Sequence, residues 1–398
     1  MGKLTVFEIV LSNQQCVYYP GQMLQGHVIV ELSEEMKMRG IRLQFYGGSQ
    51  VHWTERHSTG SGKNRRTTTR HYSASEQYFN SVLVLFGKAE GQSGDNPVLP
   101  AGRYSYQFNF QLPCDIPSSF EGSVGRVRYW LSCVIDKPWK FDHNTKKAFT
   151  VINLLDLNTE PTAVQGAQGS GSKTLCCLCC KSGPITCKFT LDKLGYVPGE
   201  IIPVRGEIIN HSNRRMAKSY AEFIMVTKYH ATKKTKTTSQ VVARLERGEV
   251  DPGDTDVWPD SPIPIPPCPP SKLPGCRIIE IDYYVKLCVD PAGPAFDLEV
   301  PLNVIIGSIP LQCTVQQYGM PSAPASSEMY QATAAGDAPA LAHPDMPPPT
   351  YAECAFGKVN IKDDEDSEYT RGNLEYAPKY TYYNWGNEPQ PYVPSVTD

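Results

Sequence analysis

The sequence predicts an all-β protein of two tandem β-sandwiches followed by a disordered, proline-rich tail. Short apolar runs of strand length recur through the first 313 residues, separated by Gly, Pro, Asn and Ser. No segment keeps a 3.6-residue apolar period long enough for a stable helix, which leaves packed sheets as the default architecture. One turn motif also occurs twice, and a chain of 398 residues exceeds what a single hydrophobic core covers.

The strands follow in order. HVIVEL (27–32), IRLQFYG (41–47), YSYQFNFQL (104–112), VRYWLSCVI (127–135) and AFTVINLLDL (148–157) alternate or run apolar. Tyr104, Tyr106, Phe108 and Phe110 share one face at period two, with Ser105, Gln107 and Asn109 on the other. That is the pattern of a half-buried antiparallel strand. The repeat begins at Tyr18-Tyr19-Pro20-Gly21, followed by Gly26 and an apolar run. It returns at Tyr196-Val197-Pro198-Gly199, followed by Gly206 and another run. Each copy precedes a basic, Thr-rich, hairpin-like loop, at 54–71 and at 228–240. Two sandwiches of related plan are expected. The first covers 1–158 and the second 173–313, with a polar, Gly-rich linker at 159–172. Beyond Cys313, Pro, Ala, Ser and Gln dominate, so 314–398 is expected to be disordered for want of apolar surface to offset its ordering entropy.

A net charge of −3 argues against bulk nucleic-acid binding. The N-terminus lacks a secretory layout and no apolar run reaches membrane-spanning length. Thirteen cysteines without secretory features point to reduced thiols in the cytosol. A cytoplasmic protein is expected.

Several stretches are similar to the α-arrestin (arrestin domain-containing) family. They are 99–139 (LPAGRYSYQFNFQLPCDIPSSFEGSVGRVRYWLSCVIDKPW), 195–212 (GYVPGEIIPVRGEIINHS), 269–287 (PPSKLPGCRIIEIDYYVKL) and 300–311 (VPLNVIIGSIPL). Cys268 stands where the family tends to have an aliphatic residue, a packing-level departure. The resemblance covers almost all of residues 4–313. It implies two immunoglobulin-like arrestin sandwiches cupped against each other, and a trafficking adaptor without catalysis, metal or cofactor. The function it implies is recruitment of WW-domain HECT-type ubiquitin ligases to cytoplasmic segments of membrane receptors or transporters. Endocytosis and lysosomal sorting would follow, with the protein drawn to plasma membrane and endosomes. A β-arrestin-like desensitiser and a retromer-like scaffold remain alternatives.

Within that frame, Pro348-Pro349-Thr350-Tyr351 fits P-P-x-Y, in which polyproline II residues stack on WW-domain aromatics and the tyrosine sets the register. Pro389-Gln390-Pro391-Tyr392 keeps the tyrosine but loses one stacking proline, so it reads as a weaker second site that adds avidity. Arg56, Lys63, Arg65, Arg66 and Arg70 of the first basic loop, with Lys233, Lys234 and Lys236 of the second, could meet anionic lipid or acidic cargo. Each contributes up to about 1 kcal/mol near a membrane. The bland reading is two solvated hairpin tips, and the lack of interleaved aromatics speaks against nucleic acid.

Cys176, Cys177, Cys179 and Cys180 are too close in sequence to wrap one zinc ion. Palmitoylation is an alternative to the plainer expectation that they pack as small apolar groups in a strand. Leu154-Leu155-Asp156-Leu157 is similar to a clathrin-binding box but reads as core, continuing the strand from Ala148. No Ser/His/Asp or Cys/His grouping and no phosphate-cradling loop is present.

Overall fold

The computed structural model describes residues 3–60, 65–138, 141–175, 183–318, 350–362 and 370–385. In the N-terminal half the strands are β1 (Leu4–Leu11), β2 (Val17–Tyr18), β3 (Met23–Leu32), β4 (Met36–Lys37), β5 (Gly40–Thr59) and β6 (Arg66–Gly87). They continue with β7 (Val98–Leu99), β8 (Gly102–Gln111), β9 (Phe120–Glu121), β10 (Gly125–Asp136) and β11 (His143–Val151). One sheet has the order β1-β3-β8 and the facing one β2-β11-β10-β5-β6. The aromatic alternation of β8 lines this interface: Phe110 stacks on Phe45 at 4.6 Å between centroids and Phe108 meets it edge-on at 5.7 Å.

The C-terminal half repeats the plan with β12 (Ala167–Thr174), β13 (Pro184–Leu191), β14 (Gly195–Tyr196), β15 (Ile201–Asn210), β16 (Met216–His230), β17 (Thr235–Arg247), β18 (Thr255–Pro264), β19 (Ile279–Pro291) and β20 (Leu298–Ile306). Its sheets run β12-β13-β15-β18 and β14-β20-β19-β16-β17. The correspondence reaches single residues. In each half the Y-x-P-G turn follows a two-residue strand paired in parallel with the last long strand of its sandwich, β2 with β11 and β14 with β20. Gly21 and Gly199 close these turns at φ +80° and +97°, where a Cβ would be strained. Tyr129 on β10 donates to the Pro117 carbonyl at 2.7 Å, as Tyr283 on β19 does to Pro269. Ser119 Oγ accepts from the Val151 amide at 2.9 Å, and Ser271 Oγ from that of Ile306 at the same distance.

The linker expectation is corrected. Residues 167–174 form β12, a strand of the second sandwich, paired residue for residue with β13 from Ala167↔Leu191 to Thr174↔Pro184. Gly169 and Gly171 face inward, where a Cβ would lie 2.8 Å from Val300 Cγ1 and 3.0 Å from Leu298 Cδ1. These glycines serve close sheet packing, not flexibility. The strand expected over 148–157 ends at Val151; Leu157 begins a single 3₁₀ turn, with Asp156 as its N-cap. Leu155 and Leu157 are buried, so this leucine box packs in the core as expected. A short helix, α1 (Gln312–Tyr318), crosses the expected end of the second domain. Cys268 is buried, in keeping with a packing-level departure.

The described tail is not structureless. It carries β21 (Thr350–Glu353), β22 (Val359–Asn360), β23 (Thr370–Arg371), β24 (Glu375–Tyr376) and β25 (Lys379–Tyr382). β21 pairs with β25, β22 with β24, and β23 adds in parallel to β11.

The two sandwiches meet at a junction of ion pairs and close packing. Arg277 of the second sandwich bonds Glu76 of the first at 2.7 Å, and Lys272 bonds Glu160 of the connecting segment at 2.9 Å. The Tyr229 ring from β16 sits where a Cβ on Gly125 would lie 2.7 Å from its Cδ1. One hydrophobic cluster runs through both halves.

Candidate functional site

Tyr351, the tyrosine of the P-P-x-Y sequence, lies in β21 with its neighbours Thr350 and Ala352 in register with Tyr382 and Tyr380 of β25. Its half-buried ring packs on the cluster of Val17, Tyr19 and Ile152, and its hydroxyl shares a short hydrogen bond with that of Tyr19. Burial, then the neighbouring Tyr351, push the Tyr19 phenol far above its usual value, so Tyr19 stays protonated. Pro348 and Pro349 lie outside the described residues, as do Pro389, Pro391 and Tyr392.

β21 is one part of a strap formed by 350–362 and 370–385 that lies on both sandwiches. On the first, Tyr376 donates to the Phe149 carbonyl at 3.3 Å and shares a 3.2 Å bond with Thr150 Oγ1. Tyr380 donates to the Ser119 carbonyl at 3.0 Å, and the Lys379 amide donates to Thr150 Oγ1 at 3.2 Å. On the second, the Ala355 amide donates to the Pro267 carbonyl at 3.0 Å. The Tyr383 amide donates to Pro198 O at 3.1 Å, and its hydroxyl to Ser308 O at 2.7 Å. Tyr383 is buried with Val197, Leu157, Ala163 and Leu311, with Trp385 against it. The strap therefore touches the same turn in both repeats: Tyr351 meets Tyr19, and Tyr383 meets Val197 and Pro198.

Composition hides this strap because the Pro-rich run before it and the acidic run between its two parts carry the composition of disorder. The signal that could have revealed it is aromatic density: Tyr376, Tyr380, Tyr382, Tyr383 and Trp385 fall within ten residues, whereas disordered segments are poor in aromatics. Tyr376, Tyr380 and Tyr383 are all buried. Where β23 joins β11, Lys137 Nζ lies 2.9 Å from His143 Nε2. Burial, then the charges of Lys137 and Arg371, lower the His143 pKa to about 4.

The two basic loops prove to be mostly strand, since β5 reaches Thr59 opposite Arg66 and β16 reaches His230 opposite Thr235. The fold brings these hairpins together across the domain junction. Lys234 bonds Glu55 at 2.6 Å and lies over the Tyr72 ring, and the Thr232 hydroxyl donates to Ser73 O at 3.1 Å. Arg56, Arg65, Arg66, Arg70 and Lys233 are exposed nearby, and Lys236 is half-buried. Lys63 lies outside the described residues, as do Cys176, Cys177, Cys179 and Cys180, which fall in sequence between β12 and β13. Cys187 is buried in β13, where burial pushes its thiol up to about 12. Among the described residues no three His, Cys, Asp or Glu side chains converge as metal ligands would, and no helix is long and apolar enough to cross a membrane.

Comparison with known proteins agrees with this architecture. Residues 7–158 match the model of the arrestin (or S-antigen) N-terminal domain, and residues 181–311 that of the C-terminal domain. The chain is 31% identical to arrestin domain-containing protein 17 of Caenorhabditis elegans, over 96% of this chain and all of the relative. It is 30% identical to human arrestin domain-containing protein 4, with 88% of this chain and 82% of the relative covered. Human arrestin domain-containing protein 1 is also 30% identical, at 89% and 73% coverage.

Proposed function

The chain belongs to the α-arrestin family of arrestin domain-containing proteins, and from that premise we propose that it is a non-catalytic adaptor linking membrane cargo to WW-domain HECT-type ubiquitin ligases. The observation that carries this reading is Pro348-Pro349-Thr350-Tyr351 placed behind two arrestin sandwiches. Proline pairs preset the polyproline II conformation, so such a segment loses little entropy in an aromatic-lined groove. Pro389, Pro391 and Tyr392 give a second, weaker contact that raises avidity when the ligase carries tandem WW domains.

The sandwiches take the cytoplasmic segment of a receptor or transporter, by strand addition at a sheet edge and by charge pairing with the joined basic hairpins. The hairpins also favour an anionic membrane surface, through Arg56, Lys63, Arg65, Arg66, Arg70, Lys233, Lys234 and Lys236. The adaptor works from the cytoplasm at plasma membrane and endosomes, and the ubiquitylated cargo passes to the lysosome. Lys358 and Lys362, close to the motif, are candidate sites of the adaptor's own ubiquitylation.

The test is capture of the full chain by immobilised WW domains. Tyr351→Ala should remove most binding and Tyr351→Ala with Tyr392→Ala all of it. Undiminished capture of the double variant would sink the proposed role of the tail.

A further inference from the structure

We propose that the strap masks Tyr351: its docking on the arrestin body and capture of the P-P-x-Y motif by a WW domain are mutually exclusive. This rests on the reading of Tyr351 as a WW contact. A WW groove accepts an extended peptide whose tyrosine ring leaves its own chain and enters the domain. Here that ring lies against Val17, Tyr19 and Ile152, and its hydroxyl is bonded to Tyr19. The backbone around it is committed as well, because Thr350–Glu353 is laddered onto Lys379–Tyr382. One side chain cannot fill both sites, and one backbone segment cannot hold both conformations.

The mask is set from a distance. β25, the strand partner of the motif, is pinned by Tyr380 on Ser119 O of the first sandwich. It is followed directly by Tyr383 on Pro198 and Ser308 of the second. Loosening either anchor frees β25, and with it β21. Tyr383 packs in a different apolar cluster from Tyr351, although the Tyr351 phenol is near enough to add to the effect of burial in raising the Tyr383 pKa. The apparent WW affinity of the folded chain is the intrinsic affinity reduced by the fraction of chains with the strap undocked.

The experiment compares a synthetic peptide of residues 343–357 with the full chain carrying Tyr392→Ala, each titrated against one purified WW domain of a HECT-type ligase. The peptide should bind at least tenfold more tightly than the chain. Tyr383→Ala and Tyr380→Ala should each recover most of that gap, and Tyr19→Phe part of it. Hydrogen exchange gives an independent readout. The amides of Cys354 and Tyr383, bonded to Pro378 and Pro198, should be protected in the free chain and exposed when the WW domain is saturating. Equal affinity of peptide and chain, or protection retained in the complex, overturns the mask while leaving the ligase reading intact. A peptide that does not bind overturns both.

Discussion

At the scale of single residues, the strap joins the first sandwich beside a histidine that resists protonation. His143 has its pKa lowered to about 4, by burial first and then by Lys137 and Arg371. Above pH 6.5, the ordinary value, it is neutral in both folded and unfolded chains. Between 6.5 and 4 the unfolded chain takes up a proton that the folded one refuses, so stability falls as pH falls through that window. Because Arg371 belongs to the strap, undocking that segment also removes one of the charges opposing protonation. Urea unfolding followed from pH 7 to pH 4.5 should show this loss, and His143→Asn should flatten it.

At the scale of elements, what the sequence conveys depends on side-chain contrast. β8 is legible because Tyr104, Tyr106, Phe108 and Phe110 alternate with polar residues. The repeat is legible because its turns need Pro followed by Gly at positive φ. β12 is not, because its inward positions include Gly169 and Gly171, which carry no apolar signal although the strand alternates half-buried and exposed throughout. The strap escapes notice for another reason: its strands are two to four residues long, below the length at which periodicity speaks. The P-P-x-Y sequence is found at once, but the partner of its tyrosine, Tyr19, is 332 positions away and no local pattern joins them. β12 yields a direct check. Gly169→Leu must push into Val300 and Leu302 and should cost about 1–3 kcal/mol in urea unfolding, whereas an ordinary linker would tolerate it.

At the scale of the whole molecule, the two sandwiches are held by more than their shared core. The ion pairs at the junction are partly exposed: Arg277 is 89% and Lys272 53% exposed at the side chain, so each contributes little. The buried tyrosines of the strap offer firmer attachment, since losing a large buried aromatic costs about 3–5 kcal/mol. A chain ending at residue 345 should therefore unfold several degrees lower than the full chain, at roughly 2–4 °C per kcal/mol lost. Differential scanning calorimetry would read it, and an unchanged midpoint would mean that the strap adds nothing to the body.

The repeated Y-x-P-G turn gives this attachment a geometric meaning. The strap grips one copy through Tyr351 on Tyr19 and the other through Tyr383 on Val197 and Pro198, with β25 pairing with the strand of Tyr351 and leading directly into Tyr383. A short paired strand has a fixed length, so it fits one separation of the two turns and no other. The tail thus works as a gauge laid across the molecule. Any movement that spreads or tilts the sandwiches would put the two grips out of register and let the tyrosine go.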